Sequence, residues 1–553
     1  MWLLWIVTIA GIGVFITSCI PGLREFGVVA RWRTGLWLGL FAVTSVFLAA
    51  NFFTGLAQPA GRVITALLLC AGSASFLWHA IREIPWVSAR MLWLLPVGVV
   101  VLTLFVLAGW ALAKPGNYDT GLYHLGAIFY SADFPVIPGL ANVHDRLGFN
   151  STMWPVTAGM GSLGMEEDSF RIFNGVLIGL ALTDLSLRLF GSRFAVISRP
   201  GTGILLFGLT LTLGAIAQYP ARLIASPAQD TAALVLVVVT TAYLADTVRS
   251  GGASLSAARV VILTAVMAGM MRPLGWVFAG GVAVVTCALV VRGVGWRQCV
   301  RSLGGVGLLT TVAVMLMALR DALLTGWILF PVSLFPVAVD WRLPDPDSAA
   351  RDIQGWARTP FQPVQETLSS NSWLTGWLLR LPTDWSIPAV ALLLVLALLV
   401  WARWRPGSSR WVRMALLTAL PAGLALGVWM YSAPDPRFAW GYIVACGLVP
   451  LAFLTDRIGL RNLVAMSGVF LLGLLVLAGL RGSFGVWTWN AVEPPIPDVY
   501  RDTLDDGTMV LIPSIGDQCW SVYPLCRPDY APDSVQRRGD GIASGFRPVT
   551  GAW

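Results

Sequence analysis

The chain alternates long apolar runs with short polar breaks. Runs of spanning length fall at roughly 1–20, 34–54, 63–81, 91–112, 171–190, 201–219, 230–247, 259–271, 274–291, 303–325, 387–402, 412–431, 438–454 and 463–480. Most approach the ~20 residues that a helix needs to cross the hydrocarbon of a bilayer. They predict an all-α polytopic membrane protein with about fourteen transmembrane helices. The first run lacks a basic start and a small-residue cleavage site, so it reads as a helix and not as a removable leader.

The longest polar interruption in the first half is Lys114 to Asn150, where Asp119, Tyr123, His124, Asp133, His144, Asp145 and Arg146 stand close together. Ionisable groups beside a membrane boundary are costly to keep, which makes this insert the candidate active site. Leu122, Leu125, Ile128 and Phe129 recur at helical spacing from Gly121 to Tyr130. They predict a short amphipathic helix on the membrane surface with Asp119 at its N-terminal edge, where a plain N-cap role also suits an Asp followed by Thr and Gly.

Arginines orient the spans. Arg24, Arg31, Arg33, Arg82, Arg90, Arg193, Arg199, Arg249, Arg259, Arg292, Arg297, Arg301, Arg403, Arg405, Arg410, Arg413, Arg457 and Arg461 fall in alternate short loops, which the positive-inside rule makes cytoplasmic. The Lys114 insert, Tyr219 to Gln229, Met270 to Pro273, Phe330 to Ser386, Ser432 to Arg437 and the tail from Arg481 then face outward, as do both termini. The expected organisation is a transmembrane domain over 1–480, with outward loops at 113–170 and 330–386, and a small mixed α/β extracytoplasmic cap over 481–553. Val510 to Ile512 reads as a strand of that cap.

At 56% hydrophobic and 12% charged residues, the composition excludes an ordinary soluble domain. The net charge of +8 is carried by arginines apart from Lys114 and implies no nucleic-acid partner. Cys519 and Cys526 stand in the polar tail. With the tail outside the cytoplasm they can close a disulfide loop, whereas a metal site would want two further ligands nearby.

No GxGxxG, Walker or GxSxG motif occurs in a suitable setting, and no two histidines have metal-ligand spacing on a helix. What remains is a set of outward carboxylates and arginines: Asp119, Asp145, Arg222, Asp230, Arg272, Asp340, Arg342 and Arg437. Carboxylates suit proton abstraction from a hydroxyl, and arginines suit a phosphate, so the set fits a phosphorylated lipid and a hydroxyl acceptor. Each has a plainer role. Asp230 can cap a helix, Arg272 and Arg437 can snorkel to headgroups, and Asp340 to Asp352 can be a solvated face. Trp327, Trp341 and the other tryptophans, 26 in all, suit an interfacial belt.

The runs YDTGLYHLGAIFY, PVIPGLANVHDRLGFNS, ASPAQD and GWILFPVSLFPVAVDW, with the tail pieces QCW, PLC and RGDGIASGFR, resemble a bacterial family of polytopic proteins associated with the GT-C fold of membrane glycosyltransferases. The likeness runs from about residue 110 onward. It implies a bacterial inner-membrane enzyme with its site on the periplasmic side, moving a sugar from a polyprenyl-phosphate donor to a glycan, lipid or protein acceptor with inversion. A furanosyl group such as arabinofuranose lies within the class. Carried onto this chain, Asp119 is the general base. Arg272, Arg437 or Arg222 hold the donor phosphate, and Tyr118, Tyr123, His124, His144, Arg146 and Asp230 complete the substrate site. Asp-Thr stands here in place of a paired Asp-Asp or Asp-Glu, which makes Asp145 the alternative base. No cofactor is demanded, and a divalent cation is left open. An oligosaccharide ligase or oligosaccharyltransferase using a polyprenyl-pyrophosphate glycan shares the architecture, and a lipid-linked sugar transporter is the alternative of another class.

Overall fold

The computed structural model describes residues 1–20, 27–83, 90–190, 199–380, 409–454, 460–531 and 534–549. The apolar run at 387–402 and the arginines at 24, 193, 403, 405 and 457 lie outside them. Helix α1 (Trp2–Cys19) lies against α2 (Val28–Ala50) and α3 (Pro59–Glu83). Glycines let the backbones meet: a Cβ on Gly13 would strike the carbonyl of Gly35, the close approach that small residues permit between helices in lipid. Helix α4 (Arg90–Ala111) leads into the polar insert, whose helices are a π-turn at Thr120–His124, α5 (Leu125–Asp133) and α6 (Met153–Gly161).

The bundle continues with α7 (Phe173–Phe190), α8 (Arg199–Gln218), the single turn α9 (Pro220–Leu223), α10 (Gln229–Arg249), α11 (Leu255–Met271), α12 (Leu274–Val294) and α13 (Trp296–Thr325). Three shorter helices, α14 (Pro346–Arg358), α15 (Val364–Ser369) and α16 (Trp373–Arg380), make up the second large loop. Helices α17 (Ser409–Ser432), α18 (Pro436–Leu454) and α19 (Leu460–Leu480) complete the bundle.

Among the described residues ten helices are long and apolar enough to cross a membrane: α1, α2, α3, α7, α8, α10, α12, α13, α17 and α19. Large apolar side chains face outward from the peripheral ones, among them Leu67, Val284, Met315, Leu416 and Val469. Such a surface is tolerable only against lipid. The protein is an all-α polytopic membrane protein. At its centre α10 is buried from Gln229 to Val248, enclosed by α7, α8, α11, α12, α17 and α18.

Of the arginines that the loop pattern places among the cytoplasmic charges, Arg33 and Arg259 are buried among the described residues. Arg259 is buried in α11 and donates from Nε to the carbonyl of Ser302. Arg33, on α2, donates to Asp184 at 2.7 Å; Trp37 donates to the same carboxylate at 2.9 Å, and Arg188 reaches Asp246 at 2.8 Å. The Arg33 and Arg188 guanidinium groups stand over the ring of Tyr243, at 5.0 and 4.4 Å. Two positive and two negative groups thereby tie α2, α7 and α10 together. Arg33 and Arg259 thus both reach acceptors inside the bundle.

The tail is a small mixed cap. Strand β1 (Val499–Thr503) pairs antiparallel with β2 (Met509–Pro513), Arg501 opposite Leu511, and β3 (Val535–Arg537) pairs with β4 (Phe546–Pro548). The expected strand at Val510 to Ile512 is the middle of β2. Cys519 and Cys526 form a disulfide. The cap rests on the polar insert and the second large loop: Phe546 N–H donates to Pro138, and Arg538 and Arg547 both face Asp340, so the Asp340 carboxylate joins two segments instead of standing alone in solvent. Trp327 and Trp341 likewise donate to chain carbonyls, of Leu343 and Ala322.

Candidate functional site

Segment 116–124 is anchored before its chemistry begins. The backbone N–H groups of Gly116 and Asn117 donate to the hydroxyl of Ser226 at 3.2 and 3.1 Å, and the Asn117 side chain accepts from the N–H of Asp119 at 3.1 Å. Thr120–His124 then winds as one π-turn, a local widening that recurs at functional sites. The expected helix over Gly121 to Tyr130 forms, as this π-turn running on into α5, but it is not laid on a surface. Leu122, Tyr123, His124, Leu125, Ala127, Ile128, Tyr130 and Ser131 are all buried. The tail and α6 cover both sides of the segment, so it has no lipid face.

Asp119 precedes the π-turn but makes no side-chain capping bond. Its Oδ2 accepts from Arg437 Nη1 at 3.2 Å. Arg437 faces a second carboxylate, that of Asp435, with its Nε at 3.2 Å. Close by, Arg272 is hydrogen-bonded to Asp230. Asp230 occupies the first turn of α10, where the helix dipole favours a negative charge, but the Arg272 guanidinium takes its carboxylate. Phe438 joins the two pairs: the Arg272 and Arg437 guanidinium groups lie 4.2 and 4.9 Å from its ring centre, and Trp356 lies 5.2 Å from Arg437. Neither arginine snorkels outward.

These groups line a cavity of about 1540 Å³. Its walls draw on all six segments that the arginine pattern grouped on one face: the Lys114 insert, 219–230, 272–277, the second large loop, the start of α18 and the tail. Tyr118, Tyr123, Arg146 and Arg222 line it. Arg222 is exposed there, and among the described residues Arg146 has only distant carboxylates, Asp145 at 3.8 Å and Asp352 at 4.0 Å.

Three expected site residues stand outside the lining. His124 is buried, its ring 4.5 Å from that of Tyr123 and 4.8 Å from Trp154. Burial pushes its imidazole down to about 3, so it is neutral at ordinary pH. His144 and Asp145 pair with each other at 3.3 Å behind Arg146. Asp145 is held below the usual carboxylate range: burial would raise it, but its bond to His144 and the charge of Arg146 outweigh that. Asp119 is low for a related reason. Burial would raise it, and the charge of Arg437 above all holds it down, with Arg272 and Arg146 adding to it. Asp119 is therefore an ionised carboxylate facing the cavity, whereas Asp145 is turned to a histidine.

Sequence reasoning missed Asp435, Trp356, Asp517, Gln518, Trp520 and Tyr530, which also line the cavity. Asp435 had a signal, standing two residues before Arg437 in DPRF. The tail residues had none: Tyr118 donates its hydroxyl to Asp517 across 399 residues of chain. Among the described residues no three His, Cys, Asp or Glu side chains gather as a metal site. Asp119 and Asp435 share the Arg437 guanidinium, and Asp230 faces that of Arg272.

Residues 1–444 match the model of a domain of unknown function, DUF8201, and the chain belongs to that family. No curated protein and no solved structure matches it.

Proposed function

We propose that this DUF8201-family protein is a GT-C-like glycosyltransferase of about fourteen spans, working at the outer face of a bacterial inner membrane on a polyprenyl-phosphate sugar. The observation that carries the reading is the cavity in which the ionised Asp119 meets Arg437 beside the Asp230–Arg272 pair. A carboxylate that is free of capping duty and open to a cavity can accept a hydroxyl proton. Arginines that keep donors beyond their carboxylate bonds can grip a phosphate.

The acceptor hydroxyl gives its proton to Asp119, its oxygen forms the new bond to the anomeric carbon, and the bond from that carbon to the phosphate oxygen breaks with inversion. Polyprenyl phosphate leaves with its negative charge met by Arg437 and Arg272, and Arg222 or Arg146 is placed to hold a more distant anionic group. At rest Asp119 is a weak base because Arg437 stabilises its charge. A phosphate that shares Arg437 relieves this, so the carboxylate becomes more basic when the donor is present.

The volume of the cavity admits a second variant of this reading. It exceeds the ~300–1,000 Å³ of ordinary small-ligand pockets, which suits an oligosaccharide ligase with a polyprenyl-pyrophosphate glycan as well as a monosaccharide transferase. The test is release of free polyprenyl phosphate or pyrophosphate when purified protein meets a panel of lipid-linked sugars and envelope extract, wild type beside Asp119→Asn. Release that disappears in the variant supports the transferase and identifies its donor. Absence of release with every donor, from folded protein, would abandon it for transport of the lipid-linked sugar.

A further inference from the structure

The segment that carries Asp119 is held from the tail at four points. Asp517 accepts from the Tyr118 hydroxyl, and Gln518 Nε2 donates to the Tyr118 carbonyl at 2.8 Å. The N–H of Trp520 donates to the Gly121 carbonyl at 2.8 Å, and the N–H of Leu525 donates to the Tyr130 hydroxyl at 2.9 Å. Asp119 is thus bracketed by contacts on residues 118 and 121. The Trp520 indole lies so close over Gly121 that a Cβ there would come within 2.5 Å of it. All of these tail residues lie within or just before the loop closed by Cys519 and Cys526, and both cysteines are buried.

The backbone of the loop is strained where it grips. Trp520 and Leu525, whose N–H groups make two of the four contacts, have φ of 47° and 58°, in the left-handed region that side chains disfavour. Such conformations persist only where the surroundings over-determine them. Among the described residues the tail around them has two sheets of two strands each, and β2 meets only the end of the loop, where Leu511 exchanges backbone hydrogen bonds with Leu525 and Arg527, too little to impose both conformations alone. A covalent bridge across the loop can, because it removes the extended alternatives open to the chain.

We propose that the Cys519–Cys526 disulfide loop is the positioning device of the candidate active site, holding Asp119 in register with Arg437, so that turnover depends on its oxidation. The part of this that concerns turnover rests on the transferase reading; the part that concerns the clamp does not. Dithiothreitol supplies the two electrons and two protons that convert the bridge to two thiols, and itself becomes a cyclic disulfide. Trp520 and Leu525 then relax to negative φ, and their N–H groups leave Gly121 and Tyr130.

The test is amide hydrogen exchange of the full-length protein in detergent, oxidised and after dithiothreitol, with the Cys519→Ser/Cys526→Ser variant as a second route to the open loop. Exchange over residues 118–130 is expected to quicken by about tenfold or more, with α10 unchanged. The polyprenyl-phosphate assay should show kcat falling on the order of 10²-fold with donor KM nearly constant, reversed by reoxidation, as for a misplaced base. Unchanged exchange over 118–130 would overturn the proposal. So would loss of protection spreading into α10, which would make the bridge a general staple. Because the exchange arm uses no substrate, a protein inactive with every donor that still shows the local change sinks the transferase reading alone.

Discussion

Arg437 and Asp119 meet at 3.2 Å across 318 residues of chain, and among the described residues no other side chain donates a hydrogen bond to the Asp119 carboxylate. The pair keeps Asp119 ionised, and whatever competes for Arg437 also changes the basicity of Asp119.

Asp119→Asn should lower turnover about 10²–10⁴-fold, the usual range for a lost general base. Stability should move little: no capping bond is lost, and Arg437 retains Asp435. Turnover and thermal melting of the same preparation decide it. A drop in melting temperature that parallels the drop in activity would make Asp119 a structural residue.

Arg272→Ala should destabilise the protein more than Arg437→Ala. Asp230 is buried against Arg272, and removing one partner of a buried pair costs about 3–5 kcal/mol. Asp119 is more open, and its loss of Arg437 should cost about 1 kcal/mol. Melting of the two variants in the same detergent checks the order, and Arg272→Ala/Asp230→Ala should recover part of the loss.

Acidification should destabilise the fold through His124. Its folded value near 3 lies below the ordinary 6.5, so the unfolded chain binds more protons between the two. Stability from this group is therefore complete above pH 6.5 and declines as pH falls toward 3. His124→Gln should flatten the dependence of melting temperature on pH in that window, and an unchanged slope would show that the titration lies elsewhere.

Gly139→Ala should loosen the tail. Gly139 has φ of 68°, and an added Cβ would strike the Phe546 carbonyl and lie 2.7 Å from the Cβ of Trp341. The cost should be about 1–3 kcal/mol, seen as faster proteolytic nicking beyond Arg481. Gly164→Ala is the control, with φ of 87° but open space around it. Equal nicking of the two would mean that strain alone, and not the contact with β4, holds the cap.

Much of the architecture was legible along the chain. The apolar runs near 2–19, 63–81 and 274–291 became helices because spanning length and hydropathy are properties of a contiguous segment. The strand at Val510 to Ile512 and the Cys519–Cys526 bridge were legible for the same local reason. The candidate site was legible as a set of segments, since charge beside apolar sequence marks where polar groups must be sheltered. That Arg33 and Arg259 are paired within the bundle was not legible, because an arginine at the edge of an apolar run looks the same whether it ends a helix in solvent or finds an acceptor between helices. His124 reads along the chain equally as a sugar contact or as buried packing, and the structure gives the packing, because exposure depends on what lies over it, here Trp154 and Tyr123.

The sequence by itself therefore determined that this is a helical membrane protein, which stretches are polar, and which two cysteines share a loop. Only the tertiary structure decided that Asp119 belongs to Arg437, Asp230 to Arg272 and Tyr118 to Asp517. The reason is physical. Hydrophobic length adds up residue by residue along the chain, whereas an ion pair depends on the distance between two groups, and that distance is set by how α10, α11 and α18 pack and by where the tail comes to rest.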